Sequence, residues 1–166
     1  MLSPDGTSTL HKIVALKDFS DIRGGIEGGW IERGENLSQE GDCWVYSDAM
    51  VYGNATVRDN AVVCDEAIVC GNAQVYDEAS IGGTAKVYGN AQVYDEASIE
   101  STAQVYDNAR VYGNAMVSGD AQVCDNAQVL ADAVVCDVAI VRGNAIVTDN
   151  AVVSGKVEIF DDCRSI

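Results

Sequence analysis

The sequence predicts an all-β fold, a triangular solenoid of parallel strands with 18 residues per coil, formed by one chain and covered at its N-terminus by a non-repetitive segment. Three observations predict it. From Ala49 to Asp162 the chain divides into nineteen consecutive hexads without an insertion or deletion, and the hexad Cys43–Asp48 fits the same frame. The first position is Ala in eighteen of the nineteen, Val157 being the exception, and the third is Val or Ile in all nineteen. Segments 73–90 and 91–108 are identical at 14 of 18 positions, so the longer repeat is three hexads.

The typical hexad reads A-x-V-Y-D/G-N/E. Side chains alternate along a strand, so positions one and three share a side. Ala and Val therefore point inward, the residue between them points out, and three polar residues turn the corner. A helix would spread a period of six around its axis and leave no apolar stripe. One coil then has three short strands and three corners, and each residue sits above its counterpart eighteen positions earlier. At about 4.8 Å between paired strands, six to seven coils make a rod roughly 30 Å tall.

Residues 1–42 have no hexad register, which divides the chain into a cap (1–42) and a repeat domain (43–166). The open end of a solenoid must be covered, and Ile13, Val14, Leu16, Phe19, Trp30 and Ile31 are expected to plug the first coil. The stretch GGIEGG (24–29) lacks the Lys-Ser/Thr of a phosphate loop and carries a Glu, so it reads as tight turns. At the other end, Val157 in the small slot and Phe160 at a corner predict bulk that closes the core. Asp161, Asp162 and Arg164 add charge against end-to-end pairing.

The V-Y-D-N-A-Q spacing, aliphatic and then small four places on, resembles the hexapeptide-repeat proteins of the left-handed β-helix class across residues 43–166. That resemblance implies the left-handed winding. The leader ALKDFSDIRGGIEGGWIERGENLSQEGDCWVY (15–46) is similar to the leading module of a bacterial and phage-borne subgroup whose members are often labelled acyltransferases. Acyltransferases of the family take a histidine from a coil or its loop as general base, and its carbonic anhydrases hold zinc with three histidines. Here the one histidine, His11, lies outside the repeats, no loop interrupts the hexads, and no C-x-x-C occurs. The expectation is no catalytic residue, no metal and no cofactor.

With 26 Asp+Glu against 10 Lys+Arg, the net charge is −16 and the pI about 4.1. Nucleic acid and anionic membrane surfaces both require basic patches, so neither is expected as a direct partner. No apolar run approaches the roughly 18–20 residues of a membrane span, and MLSPDGTSTL lacks the apolar h-region expected of a secretory leader. The six cysteines do not pair in this register. Cys43 and Cys163 take inward slots near opposite ends, while Cys64, Cys70, Cys124 and Cys136 take outward corner slots. Cys64 and Cys136 lie four coils apart, about 19 Å, and Cys70 and Cys124 three coils apart, about 14 Å. Both exceed the roughly 7 Å limit for a bridge, so free thiols in a reducing cytoplasm are expected.

Stacking at eighteen turns each face into columns. The outward column Val62, Ser80, Ser98, Met116, Val134 and Val152 carries no charge. On so acidic a chain this points to a homo-oligomer interface, dimer or trimer, or to cover by the N-terminal segment. Asn54, Asn72, Asn90, Asn108, Asn126 and Asn144 form a structural amide ladder. Another corner stacks Tyr76, Tyr94 and Tyr112 beside Asp77, Glu78, Asp95 and Glu96, an edge expected to bind a basic protein surface. Residues 43–166 hold 18 acids and 6 bases, net −12. Along the rod that is one charge per roughly 2.6 Å, against about 1.7 Å in duplex DNA. The function expected first is therefore a non-catalytic acidic binding protein. Its concrete form is a phage-type inhibitor that mimics nucleic acid on a nucleic-acid-binding or defence protein. The alternatives are a structural or assembly spacer and an acyl-CoA-dependent O- or N-acyltransferase.

Overall fold

In the computed structural model, which describes residues 1–161, the repeats fold as a triangular parallel β-solenoid. The second and third residues of nearly every hexad form a short strand, paired in register with the strands eighteen residues away, as in Val62↔Ser80↔Ser98↔Met116. Among the described residues the three faces are sheets of nine, seven and seven strands. Every inward Ala and Val/Ile from Ala49 to Val141 has 0% exposure. Three strands facing one axis leave room only for such small, branched side chains, and this close-packed tube is the core.

The corners explain much of the charge. The fifth residue of most hexads adopts a left-handed backbone, with φ of 57° at both Asp77 and Asp95. Gly and Asp dominate this slot because few L-residues tolerate it. Asp adds an acceptor as well. The backbone N–H of Gly83 donates to Asp65 Oδ2 (2.9 Å), and those of Gly143 and Gly155 donate to Asp125 and Asp137 (2.9 Å each). A carboxylate accepting a backbone N–H is a charge-assisted bond. Beside these, Asn54, Asn72, Asn90, Asn108, Asn126 and Asn144 bond amide to amide at 3.0–3.3 Å down the rod.

The parallel ladder begins before the first hexad. Strand β1 (His11–Val14) pairs antiparallel with β2 (Glu27–Ile31), and β2 runs parallel to Met50–Val51 with Trp30 opposite Met50. Strand β3 (Leu37–Gly41) lies on Thr56–Asp59, with a register shift between Leu37 and Gly41. Strand β4 (Trp44–Val45) then pairs with Val62–Val63 at the regular offset of eighteen. Residues 27–45 thus form an irregular leading coil. Gly28 and Gly29 are not turn residues but strand residues. A Cβ on Gly28 would lie 2.5 Å from the Val45 carbonyl oxygen, and one on Gly29 2.6 Å from that of Ala49. Only glycine lets β2 pass this close.

The plug differs from expectation. Ile13, Phe19 and Ile31 pack against the core, which includes buried Ala15, Ile22 and Leu37. Val14 is exposed, and Leu16 is 95% exposed. Strand alternation accounts for both, since Ile13 faces in, Val14 faces out, and Leu16 is two residues further on. Trp30 does not plug the lumen either. It occupies the outward column of Met50, with the Lys12 ammonium 5.0 Å from its ring. At the far end Val157 and Phe160 are exposed (45% and 52%), so their bulk does not close the core. Phe160 instead carries the Arg142 guanidinium over its ring at 4.6 Å, outside the corner. Asp162, Cys163 and Arg164 lie outside the described residues.

Candidate binding edge and uncharged face

The predicted tyrosine edge assembles as a ladder. Tyr76 and Tyr94 stack at 4.9 Å between centroids with planes 1° apart, and Tyr94 and Tyr112 at 4.9 Å and 3°. In-register strands hold the rings parallel, because equivalent residues of successive coils share backbone geometry. Burial against neighbouring rungs raises the Tyr76 and Tyr94 phenols above the ordinary tyrosine range, so both hydroxyls stay protonated at neutral pH. The Tyr112 hydroxyl donates to Gln128 Oε1 at 3.1 Å.

The four carboxylates beside the ladder do two different things. The backbone N–H of Asp95 donates to Asp77 Oδ2 (3.3 Å), and that of Gly113 donates to Asp95 Oδ2 (3.0 Å). Asp77 and Asp95 therefore serve the corner itself. Glu78 and Glu96 are exposed and, among the described residues, have no side-chain partner. They are the carboxylates free to meet another molecule.

Two cations at this edge escaped the sequence reading. The Arg58 guanidinium lies 4.0 Å from the Tyr76 ring and bonds Asp59 at 2.9 Å. Arg110, an outward strand residue two before Tyr112, lowers the phenol pKa of Tyr76 and Tyr94, against the larger effect of burial. The signal was present, since Arg58 is eighteen residues before Tyr76. A second stack, Tyr88 over Tyr106 at 4.9 Å and 1°, lies on another corner and follows from the same arithmetic.

The uncharged column also assembles as one sheet face. Trp44 heads it, followed by Val62, Ser80, Ser98, Met116, Val134 and Val152. The cap covers only its head. Phe19 meets Trp44 edge-on at 5.4 Å, and the Tyr46 hydroxyl below donates to Asp21 at 3.3 Å. Further down, Met116 and Val152 are exposed at 39% and 65%.

Cys43, Cys64, Cys70, Cys124 and Cys136 are free thiols. Burial pushes the Cys43 and Cys64 thiols up to about 11 and raises those of Cys70 and Cys124, which favours the protonated thiol at neutral pH. Cys124, in an outward slot, is nonetheless buried. His11 is exposed on β1. Among the described residues no group of three or more His, Cys, Asp or Glu could hold a metal ion, and no helix is long and apolar enough to cross a membrane.

The family model for the YdcK beta solenoid repeat matches residues 49–65, 103–119 and 121–137. These are hexapeptide-type β-solenoid repeats. Within this repeat class, the "Uncharacterized acetyltransferase YdcK" of Escherichia coli (strain K12) is 49% identical over 45 residues, 25% of this chain. The match spans 14% of the length of that relative. In a hexapeptide solenoid the repeated positions are the inward Ala and Val and the corner Gly, Asp and Asn, so likeness within the repeats speaks for the coil.

Proposed function

We propose that this solenoid is a non-catalytic docking protein that seats its Tyr76–Tyr94–Tyr112 edge, with Glu78 and Glu96 beside it, on a basic surface of a protein partner. The observation that carries the reading is the parallel tyrosine stack beside two unengaged carboxylates. Its aromatic anchors are already ordered, so binding them costs little side-chain entropy. Tyrosine is a preferred anchor at interfaces, and the carboxylates supply complementarity to lysine and arginine. The net −12 of residues 43–166 favours a partner that itself binds nucleic acid. Inhibition of such a protein, including a host defence nuclease, is the concrete form proposed here.

The test is capture from a cell lysate on the immobilised full chain at about 50 mM and about 300 mM salt, since exposed charge pairs weaken with ionic strength. A basic partner retained only at low salt, and lost with Glu78→Lys plus Glu96→Lys, is the expected result. Capture unchanged by the double reversal contradicts the docking role. The second reading, an acyl-CoA-dependent acyltransferase, is favoured by the name of the Escherichia coli relative. Tight, saturable binding of acetyl-CoA in a titration would favour it over docking.

A further inference from the structure

We infer that the uncharged face docks a second copy of this chain, giving a reversible dimer in which the two rods run antiparallel. The face changes character where the cap ends. Under the cap it carries Trp44 and Tyr46, which meet Phe19 and Asp21. Below the cap six rungs remain, with Val62, Ser80, Ser98, Met116, Val134 and Val152 outward. On the other two faces the slot after the inward Val holds tyrosine stacks, Tyr76–Tyr94–Tyr112 and Tyr88–Tyr106. On this face the same slot holds Cys64, Gly82, Glu100, Ser118, Cys136 and Ser154, all small but Glu100. The uncovered rungs therefore form a flat surface that another sheet can approach to about 10 Å. Met116 and Val152, exposed at 39% and 65%, are apolar surface that such a contact removes from water.

Charge selects the occupant and its direction. Two copies of net −16 repel each other, and this face lets them meet with no charge in its central column. Parallel rods would drive the two caps together, since each cap stands over the head of its own face. Antiparallel rods, related by a two-fold axis between Ser98 and Met116, bring the six uncovered rungs together and leave both caps outside. That register sets Val62 opposite Val152 of the second copy, Ser80 opposite its Val134, and Ser98 opposite its Met116. At one rim Glu66 meets Lys156 of the second copy, a complementary pair made twice by the symmetry. Glu100, which accepts from the Ser98 hydroxyl at 3.0 Å, is drawn over the face and meets the second copy's Ser118. The other rim opposes Glu78 to Asp132 of the second copy, a like-charge pair that salt relieves. Six rungs at about 4.8 Å and five residues at about 3.3 Å give a footprint of roughly 480 Å² per copy. The pair then buries roughly 950 Å², the size of a weak, reversible contact rather than an obligate one. The dimer does not rest on the docking proposal, and its salt dependence has the opposite sign, because screening weakens repulsion between like-charged copies.

The test is sedimentation velocity of the full chain over a concentration series into the high micromolar range, at about 50 mM and about 300 mM salt. The expected result is a 17.5 kDa monomer giving way to a species of twice that mass, at lower concentration in the higher salt. Met116→Glu places two like charges beside the two-fold axis and is expected to weaken association about tenfold or more. Its melting temperature should match the wild type, because the side chain is exposed. Lys156→Glu is expected to weaken association severalfold, and adding Glu66→Lys to the same chain should restore it. Glu66 and Lys156 lie five coils apart in one chain, about 24 Å, so that rescue reports a contact between copies. A chain that stays monomeric at every concentration overturns the inference. So does an oligomer larger than two, a dimer indifferent to Met116→Glu, or a charge swap that fails to rescue.

Discussion

Single residues at the corners carry two demands at once. Asp95 must hold φ at 57°, and its carboxylate must accept the Gly113 N–H. Asp95→Gly keeps the backbone and loses the acceptor, at an expected cost of about 1 kcal/mol. Asp95→Val loses both, at about 2–4 kcal/mol. Urea denaturation should rank them in that order, and equal costs would contradict the double role. Cys43 gives a pH prediction. Burial raises its thiol to about 11, so the folded state holds the proton more tightly than the unfolded state. That contribution is complete below the ordinary thiol range and is lost as pH rises through about 11. Cys43→Ala should therefore show a flatter fall in urea midpoint between pH 9 and 11 than the wild type. The Asn and Tyr columns are legible from the eighteen-residue arithmetic. The division of labour between Asp95 and Glu96 is not, because it depends on which way each carboxylate turns once the corner is formed.

At the scale of elements, stability is the sum of near-identical rungs, each touching only its neighbours. Ala91 fills a slot with 0% exposure, and Ala91→Leu forces bulk into a tube with no spare volume. The expected loss is about 3 kcal/mol or more, read as a lower melting temperature. Gln92→Leu, one residue on and facing outward, should leave the melting temperature almost unchanged. Asn90 accepts from Asn72 and donates to Asn108, so Asn90→Ala breaks two amide bonds. It should cost about 1–2 kcal/mol by the same measurement. Strand register was readable throughout the hexads because alanine and valine mark every inward position. The leading coil was not readable. Residues 27–41 carry no repeat, and their pairing on Met50–Val51 and Thr56–Asp59 is set by close passage of Gly28 and Gly29 over the coil end. The positions of Val14 and Leu16 were missed for a related reason. Apolar character alone does not say which side of an edge strand a residue takes.

For the whole molecule, the interior of the rod is filled, and the docking role proposed above places its work on the surface, at the stacked tyrosines. Five corner aspartates, Asp65, Asp77, Asp95, Asp125 and Asp137, accept backbone N–H groups, and in the proposed docking role Glu78 and Glu96 are the carboxylates beside the ladder left to meet a partner. Carbodiimide labelling of exposed carboxylates, read by mass spectrometry on the free chain and on the captured complex, tests this most directly. Glu78 and Glu96 should be protected in the complex while Glu66 and Asp120, on another corner of the rod, label as in the free chain. Full labelling of Glu78 and Glu96 in the complex would contradict the account.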